Sequence, residues 1–286
     1  MSINNNLNFA FFGTPEISKQ TLEILYASGY IPKVIITSAD QRSGRGMHLK
    51  ETEVSLWAKN HKILCLKPEK IDQKFIDEFK KYDIDLSIVV AYGKILPESL
   101  IKTPRLGTIN IHYSLLPKYR GASPVEEALI NGDEFTGISI QKMVFDLDSG
   151  PIITQEEVNI NQDETKTELL NRLANIGGRL LVDILPDIFN NKITLKQQDG
   201  PATYCKKIKK ESGLLDLNDN PLSNYNKYRA FTDWPGAYFF LEKNGKQTRV
   251  KIKRAEFKNN SFVIKRIIPE GKKEMNYEDF IRSSNI

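Results

Sequence analysis

Residues 108–124 read TINIHYSLLPKYRGASP, a short apolar strand that runs into a turn-rich loop. Side chains alternate along a strand, so Asn110 and His112 share one face while the isoleucines beside them point to the other. Pro117 lacks a backbone N–H and restricts the residue before it, so the chain leaves the sheet ahead of that proline. An amide and an imidazole therefore meet at a strand end, the usual location of chemistry in an open α/β sheet.

A carboxylate follows a second apolar segment, at residues 138–143. Asp148 lies next to a Ser-Gly-Pro turn at 149–151, from which it can reach back to His112 and hold its tautomer or its charge. Each residue alone has an ordinary interpretation: a hydrogen-bonded histidine, a turn-forming asparagine, a capping aspartate. The combination favours an enzyme.

Strands and helices alternate through the first 189 residues. Apolar segments predict strands at 7–12, 34–37, 63–66, 85–90, 107–111, 136–143 and 151–158, and amphipathic segments predict helices at 16–28, 52–60, 72–81 and 166–189. This rhythm predicts an α/β fold, with a Rossmann-like, mostly parallel sheet that carries helices on both faces.

The pattern changes beyond residue 189. Residues 190–206 contain turn signals and predict a linker, and short apolar segments at 237–242, 249–255 and 261–268 predict a small β domain. We therefore expect a catalytic domain at 1–189, a linker at 190–206 and a C-terminal domain at 207–286.

Charge is distributed unevenly between the two parts of the chain. The net charge of +5 divides into +8 for residues 205–286 and −3 for residues 1–204. Clustered Lys and Arg gain affinity for phosphates by releasing counterions, so the C-terminal part suits a polyanion. A solvated basic face without a partner is the alternative.

Other features argue against several classes of protein. Cys65 and Cys205 lack the spacing of a zinc site or a redox pair, so we expect no metal. The chain has no apolar run near the roughly 20 residues that span a bilayer, and its first residues are polar. We expect a cytoplasmic protein with no membrane association, and a monomer.

The run NIHYSLLPKYRGASPVEEAL, followed by DLDSGPI, resembles the 10-formyltetrahydrofolate-dependent formyltransferase superfamily. Four further segments resemble its methionyl-tRNA formyltransferase branch: FGTP at 12–15, SGRG at 43–46, VAYGKILP at 90–97 and PEGKK at 269–273. The resemblance implies formyl transfer from 10-formyltetrahydrofolate to the amino group of initiator methionyl-tRNA. It also implies an OB-like C-terminal domain that binds tRNA.

The resemblance implies a role for each polar residue of the opening motif. Asn110 would donate to the formyl oxygen, and a protonated His112 would supply a second donor. Asp148 would raise the pKa of His112 and accept the proton of the amine.

The resemblance also implies two sets of binding residues. Folate contacts are expected at Val90, Ala91, Tyr92, Gly93, Ile95, Leu96, Ser114, Leu115, Leu116 and Pro117. Contacts with tRNA are expected at Arg42, Arg45, Lys206, Lys207, Lys209 and Lys210.

The chain departs from the family pattern at two places. A cationic loop at 38–50 has Asp40-Gln41-Arg42 where the family reads Asp-Arg-Pro, and Met47 and His48 where lysines are common. The stretch between residues 252 and 267 is shorter than the pattern, which predicts an abbreviated barrel. Two other hypotheses follow: an N-formyltransferase for a nucleotide-linked amino sugar, and a tRNA-binding protein without catalysis.

Overall fold

A computed structural model describes residues 8–43, 48–243 and 246–284, and for residues 41–43, 48, 243, 246 and 284 it describes the backbone alone. The chain divides into two compact units. The first contains the chain up to Arg120 together with Gly137–Val158 and Asn171–Tyr204, and the second contains Gly121–Thr136, Asn159–Leu170 and the chain from Cys205 onward. The domain boundaries expected at 189 and 206 stay a prediction.

The elements of the first half are, in chain order, β1 (Phe9–Gly13), α1 (Glu16–Ala27), β2 (Val34–Ile36), β3 (Gln41–Ser43), β4 (His48–Lys50), α2 (Glu53–Asn60), β5 (Cys65–Leu66), α3 (Gln73–Lys80), β6 (Leu86–Val90), α4 (Glu98–Ile101), β7 (Thr108–His112) and β8 (Arg120–Gly121). They continue with α5 (Pro124–Asn131), β9 (Phe135–Lys142), β10 (Ile152–Asn159), α6 (Lys166–Phe189), β11 (Tyr204–Cys205), a 3-10 turn (Lys210–Gly213), α7 (Pro221–Ala230), β12 (Tyr238–Lys243), β13 (Lys246–Lys258), β14 (Ser261–Pro269), β15 (Met275–Asn276) and α8 (Tyr277–Ser284).

A seven-stranded sheet organises the first unit, in the order β10-β9-β7-β6-β1-β2-β5. The five strands from β7 to β5 run parallel, and β9 pairs antiparallel with β7. All residues of β1 and β6 are buried, as expected of strands covered on both faces. The predicted Rossmann-like sheet is confirmed.

Helices cover both faces of this sheet. Phe12 and Ile36 pack with Phe75 and Phe79 of α3 on one face. On the other face α6 lies close to the sheet, because a Cβ at Gly177 would stand only 3.2 Å from a methyl of Ile111. Since β7 alternates, Asn110 and His112 lie on the α3 face.

The second unit is built on a four-stranded antiparallel sheet in the order β12-β13-β14-β15. Its core includes Phe239, Val250, Ile252 and Ile267. The predicted C-terminal β domain is confirmed as this sheet, which is open in the described part of the chain, with β12 and β15 at its edges.

Several elements differ from the sequence expectations. Residues 41–43 and 48–50 pair as the antiparallel strands β3 and β4, where a loop was expected. Helices α4, α5, α7 and α8 lack a predicted counterpart. A cavity of about 580 Å³ in the second unit is bordered by α5, α7 and Phe257, and none of the predicted site residues lines it.

Candidate active site

His112 ends β7, and Asp148 lies on the turn that follows β9. His112 is 5% exposed, and its Nδ1 lies 3.7 Å from Oδ2 of Asp148. Its Nε2 lies 2.9 Å from the backbone carbonyl oxygen of Tyr119. The structure thus brings together two of the three predicted catalytic residues, 36 positions apart in the chain.

The Tyr119 contact defines the tautomer of His112. A carbonyl oxygen only accepts hydrogen bonds, so Nε2 carries a proton and donates it. Nδ1, which faces Asp148, is therefore the atom that gains or loses a proton.

Burial lowers the pKa of His112, while the Asp148 carboxylate and the Tyr119 carbonyl oppose that shift. Asp148 thus acts on this pKa in the expected direction, but desolvation outweighs the carboxylate and the net shift is downward. A pKa lowered in this way favours the neutral ring, which bears its lone pair on Nδ1.

Asn110 lies two residues before His112 on the same strand face, about 6.6 Å along the strand. Its side chain is half-buried, and no hydrogen bond of its carboxamide is found among the described residues. It pairs across the sheet with Gln141 of β9. The carboxamide is therefore available to a substrate.

Two glutamines hold the Asp148 turn, and sequence reasoning missed both. Gln141 Nε2 donates to Asp148 Oδ1 at 2.9 Å. Gln198 Nε2 donates to the carbonyl oxygens of Asp148 and Gly150, at 2.8 Å each. Arg120 in turn donates to Oε1 of Gln198, at 2.6 and 3.0 Å.

One signal in the sequence points to Gln141. Residues 138–141 read ISIQ, so Ser139 and Gln141 alternate with two isoleucines, and both polar side chains are buried. The rule that placed Asn110 and His112 on one face applies equally to β9. Gln198 lies in a stretch interpreted as a linker, with no such pattern.

The predicted folate residues after β7 form a tightly bonded loop. Ser114 Oγ donates to the carbonyl of Lys118, and Ser139 Oγ donates to the carbonyl of Ser114. Leu116 is buried and forms a cis peptide bond with Pro117, and Leu115 packs where Gly137 lacks a side chain. Ser114 and Leu116 thus hold the loop in shape.

The predicted folate residues after β6 form a second loop. Its backbone is left-handed at Ala91 and Gly93, with φ of 47° and 80°. The carbonyls of Val90 and Tyr92 accept hydrogen bonds from Ser18 and Thr14.

The side chains of this second loop differ in exposure. Tyr92 packs edge-on against Phe12, and burial raises the pKa of its hydroxyl to about 12. Leu96 is buried in the same core, whereas Ile95 is 86% exposed.

The structure describes some of the predicted tRNA residues in full and others in part or not at all. Lys206, Lys207, Lys209 and Lys210 are all exposed. Arg42 is described by its backbone alone, in β3, and Arg45 lies outside the described residues. Directly before β3, Asp40 accepts two hydrogen bonds from Lys67, at 2.7 and 2.9 Å.

The described part of the chain contains neither a metal-binding cluster nor a membrane-spanning helix. Within residues 8–43, 48–243 and 246–284, no three His, Cys, Asp or Glu side chains are grouped to hold a metal ion. Over the same residues, no helix has the length and apolar character needed to cross a membrane.

Comparisons with known proteins match nearly the whole chain. The Formyl transferase family matches residues 7–185, and the Formyl transferase C-terminal domain family matches residues 207–262. The methionyl-tRNA formyltransferase of Thermodesulfovibrio yellowstonii is 36% identical over 298 aligned residues, which cover 96% of each chain. That of Thermotoga maritima is 41% identical over 82% of this chain and 76% of its own.

Solved structures share the fold. The methionyl-tRNA formyltransferase of Clostridium thermocellum superposes with a TM-score of 0.64 at 15% identity, covering 92% of this chain and 98% of its own. An N-formyltransferase of Helicobacter canadensis, in complex with folinic acid and dTDP-3-aminofucose, superposes with a TM-score of 0.63 at 17% identity, covering 90% and 95%.

Proposed function

The chain belongs to the methionyl-tRNA formyltransferase family, and we propose that it transfers the formyl group of 10-formyltetrahydrofolate to the amino group of initiator methionyl-tRNA. The observation that carries this proposal is the pair formed by the buried His112 and the half-buried Asp148, beside the available carboxamide of Asn110. These groups match the two needs of formyl transfer, an acceptor for a proton and a donor to an oxygen.

The reaction conserves atoms and electrons without a redox partner. The lone pair of the amine forms a bond to the formyl carbon, the bond from that carbon to N10 of the folate breaks, and its electron pair stays on N10, which takes up a proton. The amine nitrogen loses one proton. The protein therefore has to stabilise negative charge on the formyl oxygen and move one proton.

Asn110 is proposed to donate its amide N–H to the formyl oxygen, where negative charge develops. His112 and Asp148 are proposed to accept the amine proton as a pair. The proton is held at Nδ1, and Asp148 Oδ2, 3.7 Å away, stabilises the imidazolium that results. A ring that starts neutral is suited to this task, which assigns His112 a base role in place of the expected charged donor.

The folate is proposed to bind at the loops after β6 and β7. These strands are adjacent and parallel, with Val90 paired to Ile111, so both loops leave the same edge of the sheet. Ligands of open α/β sheets bind at that carboxyl edge. The turned backbone at 90–93 and the loop at 114–117 are the proposed contacts.

The acceptor is proposed to be held partly by cations of the second unit. Arg249 and Lys251 alternate along β13 with the core residues Val250 and Ile252, so they lie on the outer face of the sheet. Lys253 follows at an irregularity in the strand register and is exposed. We call these three residues the β13 cation row. Together with the exposed lysines at 206–210, this row supplies charge for the phosphates of tRNA.

Charges around the row support this assignment. Burial and the neighbouring Lys253 and Arg249 lower the pKa of Lys251. Asp233 acts on Lys251 in the opposite direction, but its carboxylate also accepts a hydrogen bond from Thr167. Cations that crowd one another in this way favour a polyanionic partner.

The aromatic groups on this face are Tyr238 and Phe240. The Arg249 guanidinium lies 3.7 Å from the centre of the Tyr238 ring, and Phe240 is 43% exposed. Tyr238 itself is buried, at 6% exposure, so Phe240 is the ring on this face that a base could stack on, as bases do on nucleic-acid surfaces.

The test is direct formylation. Purified protein is incubated with 10-formyltetrahydrofolate and either charged initiator tRNA or a nucleotide-linked amino sugar, and the products are separated. We expect formylmethionyl-tRNA and no formylated sugar. Formylated sugar alone would move the assignment to that substrate, and no product with either would support a binding protein without catalysis.

A further inference from the structure

Gln141 is a buried amide at the centre of the site. It lies on β9 opposite Asn110, and is 1% exposed. Its Nε2 donates to Asp148 Oδ1, whereas its Oε1 is buried with no hydrogen-bond partner among the described residues. Burying an amide that makes only part of its hydrogen bonds costs free energy, and a leucine or methionine would avoid that cost.

The contact divides the two oxygens of Asp148 between two partners. Oδ1 accepts from Gln141, and Oδ2 faces Nδ1 of His112. The terminal torsion of an aspartate is broad, so a carboxylate without a partner samples many orientations. Donation to Oδ1 restricts that rotation and favours the ionised carboxylate.

The backbone of the turn lies close to β9 and brings Asp148 within reach. A Cβ at Gly150 would overlap the carbonyl oxygen of Lys142, so only glycine allows this approach. Asp148 itself is left-handed, with φ of 45°. The backbone of the turn therefore brings Asp148 close to β9, and the hydrogen bond from Gln141 then fixes the position of its carboxylate.

We propose that Gln141 is a positioning residue for formyl transfer, which holds the Asp148 carboxylate so that Oδ2 faces His112. This inference rests on the proposed function, in which the pair accepts the amine proton. Among the described residues, the charged group that faces the His112 ring is Asp148, and Tyr119 contributes a neutral carbonyl.

The test uses two substitutions of Gln141 in the full chain. Gln141→Leu removes the donor, and we expect kcat to fall about tenfold with both KM values within about twofold. Gln141→Glu keeps the shape but donates only while protonated, because an ionised carboxylate repels Asp148. Its kcat relative to wild type should therefore decrease as pH rises from 6 to 9.

Gln73 offers a matched control. Its Nε2 donates to Oδ1 of Asp77 at 2.8 Å, but this pair lies on the exposed surface of α3. Gln73→Leu and Gln73→Glu should keep wild-type kcat at every pH. Thermal melting at each pH confirms that all variants remain folded.

The outcomes separate this inference from the proposed function. If the wild-type protein is active and Gln141→Leu has the same kcat as Gln73→Leu, the positioning role is overturned. A pH-independent ratio for a folded Gln141→Glu would also overturn it. A wild-type protein that forms no formylmethionyl-tRNA in the same assay would overturn both.

Discussion

The end of β7 and the β13 cation row hold polar groups in opposite ways. At β7, His112 is buried, and its contacts are defined atom by atom with Tyr119 and Asp148. Along β13, Arg249, Lys251 and Lys253 interact with one another through their charges. The first arrangement suits a reaction, because proton transfer depends on geometry and desolvation. The second suits recognition of a polyanion, which depends on charge and on salt.

The sharpest test of this contrast removes the imidazole at the end of β7. Replacing His112 with alanine should lower kcat by about two to three decades, since one positioned catalytic group contributes on that scale. Steady-state kinetics with 10-formyltetrahydrofolate and charged initiator tRNA measure the change. The loss should be the same at low and high salt, once tRNA is saturating.

His61 provides the control for that experiment. It is half-buried at the end of α2, and its ring stacks on Trp57. His61→Ala should keep the turnover of wild type. Turnover of His112→Ala within about threefold of this control would remove His112 from the chemistry.

A second test addresses the β13 cation row. The double substitution Lys251→Gln and Lys253→Gln should raise KM for tRNA severalfold and leave KM for folate and saturated kcat unchanged. The dependence of log affinity on log salt should become shallower by roughly 0.7–0.9 for each phosphate that the variant no longer neutralises. Filter binding at several salt concentrations measures this slope.

Two paired lysines of the first unit serve as the comparison. Lys19 lies 3.2 Å from Glu16, and Lys80 lies 3.5 Å from Asp77. Replacing both with glutamine removes the same formal charge. A salt slope that changes equally in the two double variants would mean that total charge, and not the β13 cation row, governs binding.

The smallest effect concerns stability at acid pH. Burial lowers the pKa of His112 below its usual value of about 6.5, so below that pH the unfolded chain binds a proton that the folded protein does not. The free energy of unfolding therefore decreases as the pH falls from about 6.5 towards the pKa of His112 in the folded protein. Above about pH 7.5 this contribution is constant.

Urea unfolding at pH 8 and pH 5.5 measures this effect against His112→Gln, which lacks the titrating ring. The free energy of unfolding of wild type should decrease more between the two pH values than that of the variant. Equal decreases would show that the folded and unfolded states protonate this ring alike.

Much of the first unit was predictable from local pattern. The amphipathic period placed α6 at 166–189, the bounds that the structure has, and alternation in β7 put Asn110 and His112 on one face. The turn signal after Asp148 correctly indicated a chain reversal close to His112. These inferences need only the sequence period and the chemistry of glycine and proline.

The features that the sequence did not predict depend mainly on burial and on contacts between residues that are far apart in the chain. Gln198 meets Asp148 across 50 residues, and no local pattern specifies such a pairing. The lowered pKa of His112 arises from burial, which the sequence expectation left out in favour of the nearby carboxylate. Helix α7 has few apolar residues at regular spacing, and its buried polar residues, such as Asn224 and Arg229, conceal its period.

Gly177 links the back of the sheet to the chemistry at its front. A Cβ there would lie 3.2 Å from Ile111 and 3.3 Å from Ile138, on strands β7 and β9. Ile111 stands between Asn110 and His112, so a methyl group added behind the sheet would push on the strand that carries both. The geometry of the reaction centre therefore depends also on the thickness of the helix layer behind it, and part of that geometry is encoded on the opposite side of the sheet.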